Sequence, residues 1–572
     1  MTTRILLPAA ASTLLLGAGL LTGCTAATDA ESADPVAAVA YDSAEAVLAA
    51  NDDYTTVNDD EWDADPRATI TGTGSTTRVE GDGVRVDGGT VTITAAGTYL
   101  VTGELDGQLV VAVGEDAVVA LVLDDATITS RESAAIAVTS ADDVVVSLRG
   151  ASILDDTAVT YADDADVNAA LYSDADLTIT GDGSLTVRAS NDGITSKDDL
   201  VVLSGELDVT AGDDGIRGKD ALAIEGGRVT VTAGGDALKS DQDDSATRGY
   251  VVITGGELDL DGGDDGMQAF TDIVITGGSI TVAAADDAVK SEDVIFIADG
   301  TLDVTASLEG IESFAVTIAG GEVSVVASDD GVNASGVGSQ GEEVETAEPT
   351  GGPQGGGGMP PEGLEPPEGF EVPEGGMPPE GFEVPEGFEP PDGFEPPAGG
   401  MPGGGMPGGG MPGGPGMETD GGQTLTITGG TLTVWGGGDA IDSNGSFRQT
   451  GGTVYAYAGT RGGDGAWDVN GAIDVTGGEF FELSTDGSPF ASPDAGSFVP
   501  LTGDAPAGST VEIVAADGTV VATFSPVRDI RSVLYAASDL ADGATYTLVV
   551  DGTTVATGVE GTAVQQGFGP GR

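Results

Sequence analysis

The sequence predicts an all-β chain wound as a parallel β-helix of about 22 residues per coil, with a small antiparallel β module at its C-terminal end. Three observations carry this. A short acidic signature recurs nine times, with steps of 22, 22, 29, 22, 22 and 21 residues between its first seven acidic markers. Short alternating apolar runs such as Leu207-Asp208-Val209-Thr210 and Val229-Thr230-Val231-Thr232 lie between the marks. No proline occurs from Arg67 to Glu348, as hydrogen-bonded ladders require. Three short strands and glycine or Asp-Gly corners fill one such step, and each coil stacks on the last at about 4.8 Å.

Taken in chain order, residues 1–23 read as a signal peptide. Arg4 precedes an apolar stretch from Ile5 to Leu21, too short and too interrupted by Pro8, Ser12 and Thr13 for a membrane span. Leu21-Thr22-Gly23-Cys24 resembles the lipobox of bacterial lipoproteins, and Cys24 is the chain's one cysteine. In that family the cysteine is lipidated, which implies a lipid anchor on Cys24 and a place on the extracellular face of the cytoplasmic membrane. Rich in Ala, Asp and Ser, residues 24–66 then read as a disordered tether.

Residues 67–340 hold most of the coils, about fifteen in all when the later ones are added. The insertion 341–420 contains 18 of the 27 prolines in phrases such as Pro367-Glu368-Gly369-Phe370, and its composition predicts an extended, disordered loop. Residues 421–482 resume the coils. In 483–572 the period is lost. Apolar runs there flank Asp517-Gly518 and Asp551-Gly552, which predicts hairpins that cap the open end of the solenoid.

Composition narrows the chemistry. With 96 Asp and Glu against 19 Lys and Arg, the formal charge is -77, so nucleic acid and anionic lipid are repelled and cations attracted. No histidine is present, which removes His-based nucleophilic triads and His-built zinc sites.

The signature returns once per coil, so its acids stack. Asp192, Asp213, Asp214, Asp236, Asp264, Asp265, Asp286 and Asp287 form the candidate metal column. Two such charges at about 4.8 Å repel by roughly 0.9 kcal/mol in water and roughly 3 to 4 kcal/mol at an effective dielectric near 20, so a neutralising partner is required. One candidate is Ca²⁺, which takes six to eight oxygen ligands. Lysine is the other: all four in the chain, Lys197, Lys219, Lys239 and Lys290, follow a ladder acid by three to five residues. Asp-Gly is also ordinary corner chemistry, and that alternative stands beside the metal reading.

Several phrases resemble one family. They are Asn168-Ala169-Ala170-Leu171-Tyr172-Ser173, Asp192-Gly193-Ile194-Thr195-Ser196-Lys197, Gly215-Ile216-Arg217-Gly218-Lys219-Asp220 and Asp439-Ala440-Ile441-Asp442-Ser443. The chain resembles bacterial extracellular carbohydrate-binding proteins with a calcium-containing, right-handed parallel β-helix, related in shape to pectate lyases. The resemblance implies a polysaccharide partner, acidic in character, held with Ca²⁺ and without catalysis. Lys197, Arg217, Lys219 and Lys239 are the candidate sugar-contacting cations. Trp435 and Trp467 are candidate stacking platforms, with packing against the C-terminal module as their alternative. Two other functions remain open: a lyase using Ca²⁺ and a Lys or Arg base, and a passive surface spacer or adhesin.

Overall fold

A computed structural model describes residues 41–58, 61–162, 165–339, 421–458, 466–485 and 496–562. Residues 1–40, which include Cys24 and the segment read as a signal peptide, and residues 340–420 lie outside the described residues. Among the described residues the chain is all-β, with one short helix at Ala44–Leu48, and the strands gather into sheets of 26, 14 and 4 strands.

The 22-residue step contributes three strands. One repeat supplies Asp192–Ser196, Asp199–Val202 and Glu206–Thr210, and the next supplies Ile216–Gly218, Ala221–Ile224 and Arg228–Thr232. Each pairs in parallel with its counterpart one repeat on: Ile194 with Ile216, Leu200 with Leu222, Leu207 with Val229. Inward residues therefore stack in columns, and Ile194, Ile216, Leu238 and Met267 form one buried column. In the 14-stranded sheet every strand after the first continues this parallel order to Trp467–Val469, slightly fewer coils than the fifteen the periodicity suggests. At its start the hairpins Ala68–Gly74 with Thr77–Gly81 and Val84–Asp87 with Thr90–Ile93 close the first coil.

The strands of a repeat differ in burial for a reason the sequence carries. The third alternates, as in Glu206–Thr210, with one face in the core and one in water. The second is apolar throughout, as in Tyr250–Ile253 and Val294–Ile297, and is buried on both faces. Its outer cover is the chain's own N-terminal segment, which overturns the tether expected over 24–66 for the part from residue 41 on. Ala44 and Val47 pack on Val274, Val294, Phe296 and Ala315; Leu48 and Tyr54 pack on Val201, Ala223 and Val252; Val57 packs on Ala120 and Val145. Its apolar residues, sparse in the sequence, find an apolar stripe that strands buried on both faces require.

The one long step in the early repeats, 29 residues, places extra chain between Leu238–Ser240 and Tyr250–Ile253. At the other end Ile473–Ser484 pairs antiparallel with Ile530–Ala537, which pairs with Phe498–Ala505. A four-stranded antiparallel sheet follows, with Asp551 and Gly552 at φ 48 and 74 in its tight turn. The C-terminal module thus gives the last parallel strand a partner.

Candidate functional site

Along the 14-stranded sheet two ladders run side by side, one built from the signature acids and one from the strand position that follows them. In the first, the acid that ends each signature pair turns inward, alone in Asn191-Asp192 and Gly235-Asp236 and as the second of two in the doublets: Asp192, Asp214, Asp236, Asp265 and Asp287 are all buried. The first acid of the doublet stays outside, with Asp213 and Asp264 exposed and Asp286 half-buried. The inner carboxylates join successive coils. Asp236 N–H donates to Asp214 Oδ1 at 3.1 Å, Asp265 N–H to Asp236 Oδ1 at 2.9 Å, and Asp287 N–H to Asp265 Oδ1 at 2.9 Å. These bonds satisfy backbone donors that the corner leaves without a strand partner, so the acids have a structural task as well as a charge.

The second ladder is set by strand register. Thr195, Arg217, Lys239, Gln268, Lys290, Glu312, Asn333, Asp442 and Asp468 stand in one row, basic at its N-terminal end and acidic at its C-terminal end. Lys239 Nζ lies 2.6 Å from Asp236 and 3.2 Å from Asp214, and Lys290 Nζ lies 2.6 Å from Asp287 and 3.3 Å from Glu312. Two of the four lysines therefore neutralise the inner ladder directly. Arg217 grips Asp241 with two bonds, at 3.0 and 2.7 Å.

Burial dominates the titration here. It pushes Asp192 up to about 7, with Asp214 adding to the effect, and Asp265 up to about 7, with Asp236 and Asp287 adding and the bond from Asp287 N–H opposing. Lys239 goes the other way: burial works against its charge, and Asp214 and Asp236 more than offset that, so its pKa is raised.

Lys197 and Lys219 are different. Among the described residues neither has a carboxylate oxygen within 4.0 Å. Lys197 Nζ stands 5.9 Å from the centre of the Tyr172 ring, and burial and then Arg217 lower its pKa. The two lysines follow the register partners Ser196 and Gly218 on neighbouring repeats, and Lys197 lies beside the buried Tyr172 ring.

Residues 87–348 match the family of carbohydrate-binding domain-containing proteins. That span takes in both ladders as far as Asn333 and stops before the later coils and the C-terminal module. A carbohydrate-binding domain-containing protein of Acetivibrio thermocellus is 37% identical over 131 residues, covering 21% of this chain and 45% of that protein. The chain therefore spans less than half the length of this relative. A solved structure titled as a polysaccharide lyase-like protein from C. thermocellum, a gadolinium derivative, is 30% identical over 45% of this chain and 93% of its own, with a TM-score of 0.35.

Against the expected metal column, the structure is selective. Among the described residues Asp264, Asp265 and Asp286 bring carboxylate oxygens within 4.8 Å of one another, and Asp287 does so with Glu309 and Glu312. The first group offers hard oxygen donors with one acid exposed, which fits Ca²⁺. The second already holds the Lys290 ammonium and fits it poorly. Asp192, Asp213, Asp214 and Asp236 belong to neither group. Glu312 is absent from the sequence-based candidates because it lies one strand position past the signature, and only register brings it to Lys290.

The tryptophans are corrected. Trp467 pairs with Ile441 in the inward column, is 4% exposed, and stacks on Phe480 at 4.5 Å. Its ring has no face for a sugar. Trp435 is half-buried against the C-terminal module and carries the Arg528 guanidinium over its ring at 4.2 Å. Counting one residue further along the last signature, to the position paired with Ile441, identifies Trp467 as core.

Proposed function

We propose that this is a lipid-anchored extracellular protein that binds an acidic polysaccharide without cleaving it, on a right-handed parallel β-helix with Ca²⁺ assisting. The observation that carries the reading is Lys197 and, one repeat on, Lys219, both without a carboxylate oxygen within 4.0 Å among the described residues, together with the match of residues 87–348 to carbohydrate-binding domain-containing proteins. In a chain of charge -77 these cations and a bridging Ca²⁺ are what would let a polyanionic sugar approach. Tyr172, itself buried, would support the Lys197 ammonium from the protein side. Asp264, Asp265 and Asp286 would hold the ion, whose chemistry is to bridge protein and sugar carboxylates.

The test is sedimentation of the protein with insoluble polygalacturonate, with and without chelator, while the absorbance of unsaturated products is followed. Binding that falls on chelation, and about tenfold or more in a Lys197→Ala, Lys219→Ala double variant, without product, is the expected result. Undiminished binding by that variant would remove the site.

The lyase reading keeps one specific support. A base must give up its proton near neutral pH, and burial and Arg217 move Lys197 in that direction. Product formation lost in Lys197→Ala would establish it in place of the first reading.

A further inference from the structure

The N-terminal strap is held across the coils by a charge arrangement that works against it. Its apolar anchors Leu48, Tyr54 and Val57 lie on the sheet, but between them the strap crosses a cleft of about 160 Å³. Asp52 and Asp53 enter this cleft from the strap, and Asp176, Asp198, Asp199 and Asp220 from the coils, so six carboxylates face the one guanidinium of Arg248. Arg248 comes from the extra chain of the 29-residue step and bonds Asp52 at 3.1 Å and also Asp220. Tyr54 donates to Glu225 at 2.9 Å, and Tyr250 to the Asp52 carbonyl at 2.6 Å.

The strap is not a strand of the sheet over this stretch. Its amides bond sheet side chains instead: Thr55 N–H donates to Asp199 Oδ2 at 2.8 Å and Val57 N–H to Thr178 Oγ1 at 3.2 Å. Such contacts open far more readily than a parallel ladder.

We propose that residues 48–58 form a proton-operated latch, lying on the sheet while the cleft's carboxylates share protons and lifting when all of them are ionised. Lifting uncovers the apolar stripe of Val201, Ala223 and Val252 and converts a brace into free chain. Fully ionised, the cleft holds six negative charges against one positive, and docking drives water from them. Burial, with Asp176 next, pushes Asp198 up to about 6; burial pushes Asp199 up to about 7 against the bond from Thr55, with Asp176, Asp198 and Asp220 adding. Asp176 is raised by burial as well. Under the neighbouring Asn51, Asp272 is pushed up to about 7 by burial, with Asp293 and Tyr41 nearby. A carboxyl raised in the docked state keeps its proton there and favours docking at low pH, and that contribution is lost as pH rises through about 6 to 7.

Hydrogen exchange of the full chain at about pH 5.5 and about pH 8, corrected for intrinsic rates, tests this. Protection of the Thr55 and Val57 amides falls about tenfold or more at the higher pH, while the ladder amides of Val229 and Val231 do not change. Asp198→Asn with Asp199→Asn keeps an oxygen for Thr55 N–H and removes two of the titrating groups, so the pH dependence of protection shrinks several-fold, with Asp176 and Asp272 left to titrate. Independently of any variant, about 1 M NaCl at the higher pH restores strap protection by screening the cleft. Equal wild-type protection at both pH values, pH dependence unchanged in the double variant, or no effect of salt would each overturn the latch.

Discussion

Single residues on this surface have two tasks at once, and the structure separates them. Asp236 accepts a backbone N–H from the next coil with one oxygen and the Lys239 ammonium with the other. Asp236→Asn keeps the backbone acceptor and loses the ion pair, whereas Asp236→Ala loses both and leaves a buried donor unmet. Thermal melting should therefore rank Ala below Asn, with Ala costing about 1 to 3 kcal/mol. Equal losses would mean that the backbone bond contributes nothing. The recurrence of Asp with Lys three residues on was legible in the sequence as charge balance, as Lys239 and Lys290 bear out. Lys197 and Lys219 stand five residues past their acids against three for Lys239 and Lys290, and only strand register shows that the longer spacing leaves the ammonium without a carboxylate within reach among the described residues.

At the scale of the strand and its corner, close approach sets what each position accepts. A Cβ added at Gly215 would overlap the inward Val231 side chain and stand 2.6 Å from the Ala237 carbonyl. Gly215→Ala should destabilise the protein by about 1 to 3 kcal/mol through overpacking, read from the denaturant midpoint. An unchanged midpoint would show that the coil can spread. The second strands teach a different lesson. The run Val294-Ile295-Phe296-Ile297 announces burial on both faces, but says nothing of what lies outside. Phe296 meets Ala44 and Val47, more than 200 residues earlier in the chain, and local pattern has no means to express that contact.

For the whole molecule, the charge of -77 makes stability depend on what screens it. Raising NaCl from about 0.02 to about 0.3 M shortens the Debye length several-fold and should raise Tm at pH 8. Added Ca²⁺ should raise Tm further through Asp264, Asp265 and Asp286, and chelation should reverse it; a Tm indifferent to Ca²⁺ would remove that site. The pH profile has a definite sign. Asp192 and Asp265, raised to about 7, contribute stability below their ordinary range near 4, and this contribution is lost as pH rises through about 7. In the absence of divalent ions the protein is therefore expected to be more stable at pH 5 than at pH 8.

The sequence by itself determined the repeat: its step, its three strands, its glycine and Asp-Gly corners, its hairpin module and the position of its acids. These are local, because a coil's neighbours are the coils next in sequence, and period alone places them. Only the tertiary structure decided which side chains meet across that period. It sent Trp467 into the core, gave Lys239 and Lys290 their acids while leaving Lys197 and Lys219 without one among the described residues, and laid residues 41–58 along the sheet. Each of these depends on register or on a contact between distant parts of the chain, set by which faces remain unburied once the coils have stacked.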